Sequence, residues 1–341
     1  MTHDLAHDLA GIGPATLRLL TIAAAGAHHL LLVGPPATAP ALLARRLLAL
    51  LPAPDPAELA PVDEARRAAG VDAPGRAELR APHHTVSGPG LLGRAVHASV
   101  ARGAGARRVW PGEVSLAHGG VLLLDKAPEL GRGCIEGLAY ALACGYVAFG
   151  ASRDELRLPS RPLLVASADD CACGRVGGVC LCSGPVRARY HGRLAPLLPL
   201  LGLVAAGASP ATRAQCPAPS LGDVRGQVAC ARELQARRWG SGGKALEGVR
   251  TNADAVLAFR EPWRLDAALT FREPWRLAHR VGARDLALPG TDSVADRPHR
   301  CQVLAVARTI ADLDLYDDVR QEHVDEAAAL RDTSALARGE G

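Results

Sequence analysis

A buried strand that ends in an acid is the most informative candidate site in this chain. Residues 121–124 form the apolar run VLLL, which is followed by Asp125. This pattern is typical of a parallel strand that brings a carboxylate to the sheet edge where ligands bind. In nucleotide hydrolases such an Asp holds magnesium, and the next residue is usually a Glu that polarises the attacking water. Here the next residue is Lys126, whose ammonium group cannot accept a proton. The alternative interpretation is a core strand with an exposed acid at its end, which requires no ligand.

A glycine loop between an expected strand and an expected helix is the second candidate site. Residues 30–46 read LLLVGPPATAPALLARR, which has the outline of the phosphate-binding loop G-x-x-x-x-G-K-[ST]. In that loop the second glycine lets backbone amides turn toward the phosphates, the lysine neutralises them, and the hydroxyl ligates magnesium. After Gly34, these three positions hold Ala39, Pro40 and Ala41. The strand, turn and helix are therefore predicted without the side chains that bind phosphate.

Two cysteine pairs form a third candidate site, for a metal. They lie in the segment DDCACGRVGGVCLC and comprise Cys171 with Cys173 and Cys180 with Cys182. Four thiolates are a common ligand set for tetrahedral zinc, although the usual knuckle spacing is C-x-x-C. The alternative is a set of reduced thiols in an exposed loop.

Strands and helices alternate in the part of the sequence that must position these residues. We expect parallel strands at residues 30–33, 121–124 and 161–167, and helices at residues 41–51, 57–69 and 133–146. From residue 220 the sequence becomes helical and charged, with amphipathic helices at residues 221–238 and 299–319. We therefore predict an α/β core with a parallel sheet flanked by helices over residues 1–215, with a cysteine-rich insert at residues 169–184. A small all-α lid domain is expected over residues 216–341.

Composition says more about the compartment in which the protein is expected to act than about its binding partner. The net charge is only +4, and the aromatic content of 3% offers few stacking platforms for single-stranded nucleic acid. The uncharged stretches at residues 19–44 and 194–212 contain prolines that would leave backbone groups unsatisfied in lipid, so we expect no membrane span. The N-terminus has no basic region followed by an apolar one, which predicts a cytoplasmic protein with cysteines as thiols or metal ligands.

A short duplication lies between the two C-terminal amphipathic helices. The segment FREPWRL occurs at residues 259–265 and again at residues 271–277. Two copies are too few for a solenoid, and a local duplication that extends a loop is the favoured interpretation. The alternative is a pair of anchors for a protein partner, formed by Trp263 with Trp275 and Arg264 with Arg276.

Several blocks, in this order, carry a resemblance to a known family: IAAAGAHHLLLVGPP, RAPHHTVS, PGEVSLAHGGVLLLD, the C-x-C-G and C-x-C pairs, and VARTIADL. They resemble the magnesium chelatase family of AAA+ proteins, in its ComM-like, YifB-type branch, over about residues 8–328. The resemblance implies an AAA+ P-loop-type core, a helical lid, and a ring of subunits, either of this chain or with a related AAA+ subunit, that binds ATP and magnesium. The implied family activities are ATP-driven movement on branched DNA and magnesium insertion into a porphyrin.

The resemblance also assigns positions to the family's site. The cofactor-binding positions are Gly34, Pro35, Pro36, Ala37, Thr38, Ala39, Pro40, Ala41, Asp125 and Arg308, the last matching the lid arginine that senses the γ-phosphate. The catalytic Glu position is Lys126, the sensor Asn position is Asp169, and the segment with the ring-contacting arginine aligns with residues 199–202. No residue is therefore expected to be catalytic.

The lost residues decide between two functional hypotheses. Loss of a cation that pairs with phosphate costs about 2–5 kcal/mol of binding in a desolvated site, and loss of a general base removes roughly 100-fold to 10,000-fold of rate. We therefore predict an inactive or strongly impaired ATPase that serves as a structural or regulatory ring subunit. The alternative is an active ATP-dependent DNA branch-migration or chelatase-type ATPase, with DNA as a partner. A third hypothesis is a zinc-dependent interaction module built on the four cysteines.

Overall fold

A computed structural model of the chain describes residues 12–34, 39–97, 107–150, 155–174, 180, 182–206, 219–240, 250–258, 277, 281, 283, 286–290, 296–332 and 336. Loop residues Pro35, Pro36, Ala37 and Thr38 lie outside the described residues. The same holds for the FREPWRL copies, apart from Leu277, and for the expected domain boundary at residues 215 and 216.

Helices and strands alternate through the first two thirds of the chain, and helices follow. The helices are α1 (Pro14–Gly26), α2 (Pro40–Leu50), α3 (Pro56–Ala68), α4 (Gly88–Leu92), α5 (Glu113–Leu116), α6 (Arg132–Cys144), α7 (Gly184–Gly192), α8 (Leu221–Gly240), α9 (Asn252–Ala258), α10 (Arg297–Leu313) and α11 (Gln321–Ala329). The strands are β1 (His29–Val33), β2 (Leu79–Arg80), β3 (Gly93–His97), β4 (Arg107–Pro111), β5 (Val121–Leu124), β6 (Tyr146–Phe149), β7 (Leu156–Pro159), β8 (Leu163–Ala168) and β9 (Leu201–Ala206).

A parallel sheet forms the centre of the molecule. In the described chain it contains five strands in the order β2–β5–β8–β1–β9, and each neighbouring pair is parallel. Leu30 and Leu32 of β1 pack on the face covered by α1 and α2, whereas Leu31 and Val33 pack on the opposite face with α6. Because both faces are covered, the central strands are apolar at nearly every position rather than alternating.

The structure confirms the predicted α/β class and the helical C-terminal region. The expected strands correspond to β1, β5 and β8, and the expected helices of the core correspond to α2, α3 and α6, with ends that differ by no more than about two residues. The strongest signals were the continuous apolar runs, since only strands buried on both faces require them.

Three features differ from the sequence predictions. The uncharged, proline-containing stretch at residues 194–212, for which no strand was predicted, contains edge strand β9. The antiparallel pairs β3–β4 and β6–β7 were not predicted at all. Helix α10 ends at Leu313 rather than at residue 319, because Leu315 adopts a left-handed φ of 60° and turns the chain back.

A buried polar cluster, formed by His28, Arg238, Asn252, Thr309 and Asp312, connects the C-terminal helices with the end of α1. The Asn252 amide donates to Thr309 Oγ1 over 3.0 Å and to Asp312 Oδ2 over 3.1 Å. Arg238 Nη1 donates to Asp312 Oδ2 over 2.9 Å, and His28 Nε2 lies 2.8 Å from Thr309 Oγ1. A buried network of this kind favours one arrangement of the helices, because each member leaves a partner unsatisfied if it moves.

The chain that follows α11 covers part of the outer edge of the sheet. The Val204 amide of β9 donates to the Leu330 carbonyl over 2.8 Å. Arg331 Nη1 donates to the Leu201 carbonyl over 2.6 Å. These bonds give partners to backbone groups that an edge strand otherwise leaves open.

None of the described helices combines the length and the apolar character that crossing a bilayer requires.

Candidate functional site

The carboxyl ends of β1, β5 and β8 meet at one edge of the sheet and bring the predicted site residues together. Gly34, Asp125 and Asp169 each follow one of these strands directly. The Gly34 amide donates to the Ala168 carbonyl over 3.0 Å, and Ser167 Oγ donates to Asp125 Oδ1 over 2.5 Å. This arrangement follows from the sheet order, in which β8 lies between β5 and β1.

Ala39, at the second glycine position of the loop after β1, has a backbone conformation typical of glycine. Ala39 precedes α2 with φ 45° and ψ 58°, which is the left-handed region that glycine adopts most readily. Pro40 is the first helical residue, where its fixed φ is compatible with the helix but its nitrogen has no hydrogen to donate. Residues 39–41 thus lead into α2 without the lysine of a phosphate site, and Pro40 supplies no backbone donor.

Lys126 and Asp169, which the resemblance assigns to the positions of the catalytic Glu and the sensor Asn, form an ion pair. Lys126 Nζ lies 3.7 Å from Asp169 Oδ2, and the side chains are 39% and 12% exposed. Ser167 joins the same group, because its Oγ accepts the Lys126 backbone N–H over 2.9 Å and donates to Asp125. Burial raises the pKa of Asp169, and the Lys126 ammonium only partly opposes this rise.

The described residues at this edge do not fit a nucleoside triphosphate with magnesium. Ala39 and Ala41 carry no polar side chain, and Pro40 has no N–H. The Asp125 carboxylate, which would face the metal, already accepts a hydrogen bond from Ser167 and is followed by the ammonium-bearing Lys126. A phosphate would find no lysine at residue 40, and a magnesium ion would find no hydroxyl at residue 41.

Arg308, the predicted γ-phosphate sensor, is buried inside the C-terminal helical region. Its side chain is 2% exposed, and Nε donates to Asp312 Oδ1 over 3.0 Å. Nη1 and Nη2 donate to the carbonyls of Asp317 and Tyr316 over 2.6 Å and 2.5 Å. Burial lowers the pKa of Arg308, with Asp312 opposing. Every bond described for this guanidinium is made within the helical region, so the structure gives it a packing role.

The segment aligned with the family's ring-contacting arginine is apolar and internal. Leu200 and Leu201 are 3% and 1% exposed, and Leu201 begins β9. A buried leucine cannot reach a neighbouring subunit, so these positions contribute to the core.

The four cysteines of the predicted metal site lie together just after β8. The sulfur atoms of Cys171, Cys173, Cys180 and Cys182 all lie within 4.8 Å of one another. Burial raises the pKa of the Cys171 thiol to about 12. The structure therefore brings together thiols that are up to eleven positions apart in the sequence.

A cleft of about 870 Å³ lies at the opposite ends of the strands, their amino ends. Its walls include His29, Gly120 and Leu163, which lie at the amino ends of β1, β5 and β8. The candidate site occupies the carboxyl ends of the same strands, where ligands of open α/β sheets bind. The cleft is thus separate from the residues that the motifs identify.

Ser167 was missed by the sequence analysis, although it links Asp125 to the Lys126 backbone. Its signal was a polar residue inside an otherwise apolar strand, LLVASA. The pairing of Lys126 with Asp169 was also missed, although both positions had been noted as changed and the two residues have opposite charges.

The sheet order, the helices on both faces, the loop after β1, the acid after β5 and the helical C-terminal region define an α/β core of the AAA+ class with an all-α region after it. The chain belongs to the magnesium chelatase family. The model of that family, described as magnesium chelatase, subunit ChlI, matches residues 7–205, which is more than half of the chain.

Relatives of known sequence agree with this assignment. An uncharacterized protein of Mycobacterium tuberculosis is 36% identical over 268 residues, which cover 74% of this chain and 50% of that protein. The competence protein ComM of Haemophilus influenzae is 32% identical over 338 residues, covering 92% of this chain and 57% of ComM. The uncharacterized protein YifB of Escherichia coli is 30% identical over an alignment of 350 residues, covering 97% of this chain and 62% of YifB. The chain thus spans about half to three fifths of the length of these relatives.

Proposed function

We propose that this chain is a ComM-like magnesium chelatase family module that hydrolyses ATP poorly or not at all and acts as a structural or regulatory subunit of an AAA+ ring. The observation on which the proposal depends is the ion pair between Lys126 and Asp169. These residues stand where the family resemblance expects a catalytic Glu and a sensor Asn.

With the ion pair in place, neither position can perform the family's chemistry, but the fold around the two residues is preserved. An ammonium cannot act as a general base, and its charge opposes that of the Glu it replaces. A lone ammonium at the end of the sheet would also repel a metal beside Asp125, whereas the Asp169 carboxylate gives it a partner 3.7 Å away. The two substitutions are thus mutually compensating, which supports a chain kept in a folded state rather than one that retains turnover.

The loop residues support the same proposal because they are expected to weaken ATP binding, an effect separate from the loss of catalysis. The lysine position holds Pro40, which removes about 2–5 kcal/mol of attraction to phosphate, a loss of roughly 30-fold to 5,000-fold in affinity. The second glycine position holds Ala39 in the left-handed conformation. The loop therefore serves to connect β1 and α2.

The proposed partner is another copy of this chain or a related, active AAA+ subunit, since AAA+ proteins commonly assemble into rings. Within such a ring, the module would provide contact surfaces for neighbouring subunits and hold them in position. Contact with DNA would come through the ring as a whole, and the proposed compartment is the cytoplasm. We further propose that the core covers residues 1–215 and the lid covers residues 216–341.

Calorimetric titration with magnesium ATP tests the binding part of the proposal. The wild-type chain is expected to bind with a dissociation constant of at least about 1 mM. The matched variant Ala39→Gly/Pro40→Lys/Ala41→Thr restores the loop residues and is expected to bind at least about 30-fold more tightly. Micromolar affinity of the wild-type chain, together with magnesium-dependent hydrolysis, would establish the active ATPase instead.

Native mass spectrometry tests the ring part of the proposal. The purified chain is mixed with an intact chelatase-type ATPase from the same cell, and mixed assemblies are expected. If the two proteins stay separate and this chain also fails to assemble with itself, the role as a ring subunit is wrong.

A further inference from the structure

Four thiols converge at a single point beside the carboxyl end of β8. Cys171 Sγ lies 3.8 Å from Cys182 Sγ, and Cys173 Sγ lies 3.7 Å from Cys180 Sγ. Four sulfurs around one tetrahedral zinc, each about 2.3 Å from the metal, are about 3.8 Å apart. Two of the six sulfur pairs thus already have the spacing that a zinc ion imposes.

In two further pairs the sulfur atoms are closer to each other than this tetrahedral spacing, by about 1 Å or less. Cys171 Sγ is 2.7 Å from Cys173 Sγ and 3.1 Å from Cys180 Sγ. The described cysteines are all free thiols, so these contacts are non-covalent. A central zinc ion with Zn–S bonds of about 2.3 Å would hold the sulfurs at the wider tetrahedral spacing, and mutual repulsion of the thiolates favours the same movement.

The backbone of the first cysteine pair is folded as a ligand turn. The Gly174 amide donates to the Cys171 carbonyl over 3.2 Å, and Gly174 has a left-handed φ of 58°. The Cys173 amide points at Cys171 Sγ over 3.4 Å. An N–H directed at sulfur stabilises a thiolate, as polar groups behind metal ligands generally do. The turn therefore supports a charged sulfur that no cation among the described side chains is bonded to.

Both ends of the cluster are anchored to the core. The Asp169 carbonyl, at the end of β8, is bonded to His191 Nε2 of α7 over 3.0 Å, and His191 is 5% exposed. Helix α7 begins at Gly184, two positions after Cys182. The two cysteine pairs are thus held from both sides, and this pre-organisation lowers the entropy cost of binding a metal.

We propose that Cys171, Cys173, Cys180 and Cys182 bind one zinc ion in a closed, structural site. Four thiolates fill the tetrahedral shell, so no position is left for water or substrate. All four sulfurs lie within 4.8 Å of one another, a space that fits a single ion and leaves no room for a cluster of several irons with bridging sulfides. The metal would fix the chain that leaves β8 at Asp169.

The zinc site is independent of the proposed function, because none of its ligands belongs to the nucleotide positions. Nucleotide binding and zinc content can therefore be measured separately. A chain that binds zinc and hydrolyses ATP would refute the proposed function alone, and a chain without zinc that fails to bind ATP would refute the zinc site alone.

Metal analysis of protein purified without chelators provides the test. We expect about one zinc per chain in the wild type. Cys173→Ser and Cys180→Ser are each expected to lower the zinc content at least about tenfold, since the ligand is the thiolate. The matched control is Cys230→Ser, which changes an exposed cysteine of α8 outside the cluster and is expected to retain the zinc.

A second measurement on the wild-type chain covers the case in which the variants fail to fold. Cobalt(II) added to the metal-free protein is expected to give the visible absorption of a tetrahedral thiolate site, at one equivalent, and zinc is expected to displace it. The site is refuted if the wild type holds less than about a tenth of an equivalent of zinc and shows no such cobalt spectrum. Iron and sulfide in stoichiometric amounts would likewise refute it.

Discussion

Lys126 Nζ lies 3.7 Å from Asp169 Oδ2, and the two residues follow different strands, β5 and β8. Their pairing brings together the ends of neighbouring strands at the edge where the family's chemistry is expected. Because the Lys126 side chain is 39% exposed, water screens much of the attraction.

The first prediction concerns the size of this interaction. A double-mutant cycle with Lys126→Ala and Asp169→Asn is expected to give a coupling energy of no more than about 1 kcal/mol. In Lys126→Ala the pKa of Asp169 is expected to rise further, because the ammonium that favours the carboxylate is lost. Urea unfolding measures the first quantity, and carboxyl NMR titration measures the second. A coupling of several kcal/mol would mean that the pair is fully desolvated.

The second prediction concerns the left-handed alanine of the loop. Ala39→Gly is expected to raise the free energy of unfolding by about 0.5–1 kcal/mol, since a left-handed alanine costs about 1–2 kcal/mol and the greater freedom of glycine in the unfolded chain offsets part of the gain. The matched control is Ala41→Gly in the first turn of α2, which is expected to lower it by up to about 1 kcal/mol. Changes of the same sign in both variants would contradict the loop conformation.

The third prediction separates a packing role of Arg308 from a sensor role. Arg308→Ala removes one of the two arginines bonded to buried Asp312 and the donor to two carbonyls, and is expected to lower the free energy of unfolding by about 2–3 kcal/mol. Arg132→Ala is the control, because Arg132 pairs with Glu136 on an exposed helix surface and is 91% exposed. If Arg308→Ala leaves stability unchanged and weakens nucleotide binding instead, Arg308 acts as the sensor.

The fourth prediction concerns pH. Burial, together with the charge of Arg232, lowers the pKa of His28 to about 3, from 6.5 in an unfolded chain. Between these values the unfolded state binds a proton that the folded state does not, so stability falls as the pH decreases below 6.5. His28 is fully buried, and its share of the loss at pH 5 is about 2 kcal/mol.

Thermal or urea unfolding at pH 7 and pH 5 measures this effect by difference. His28→Gln keeps a polar side chain near Thr309 but cannot titrate, so its loss of stability between the two pH values is expected to be smaller than that of the wild type by about 2 kcal/mol. Equal losses in both proteins would show that folding leaves the pKa of His28 unchanged.

The parts of the fold that the sequence predicted share one physical cause. The strands at residues 30–33 and 121–124 are apolar at every position because they are buried on both faces, so their signal needs no knowledge of their neighbours. β9 and the pairs β3–β4 and β6–β7 depend on partners elsewhere in the chain, and single-sequence patterns carry little of that information.

The candidate site was predictable to a similar extent. Asp125 was expected at the carboxyl edge of the sheet, because it follows a buried parallel strand, whereas Asp169 was assigned only through the family resemblance. The ion pair of Lys126 was not foreseen, since it requires the order in which β8 lies beside β5. The burial of Arg308 was also missed, because the sequence does not show that the chain after α10 turns back over the guanidinium.

The residues after α11 that cover β9 affect how the protein behaves when its C-terminal end is shortened. Leu330 and Arg331 satisfy backbone groups of β9 through Val204 and Leu201. A chain cut after residue 329 would present an apolar strand, LGLVAA, with an open edge to its neighbours. Such an edge is a template for pairing between molecules, so this cut is expected to cause self-association through β9 and precipitation at concentrations where the full chain stays dispersed.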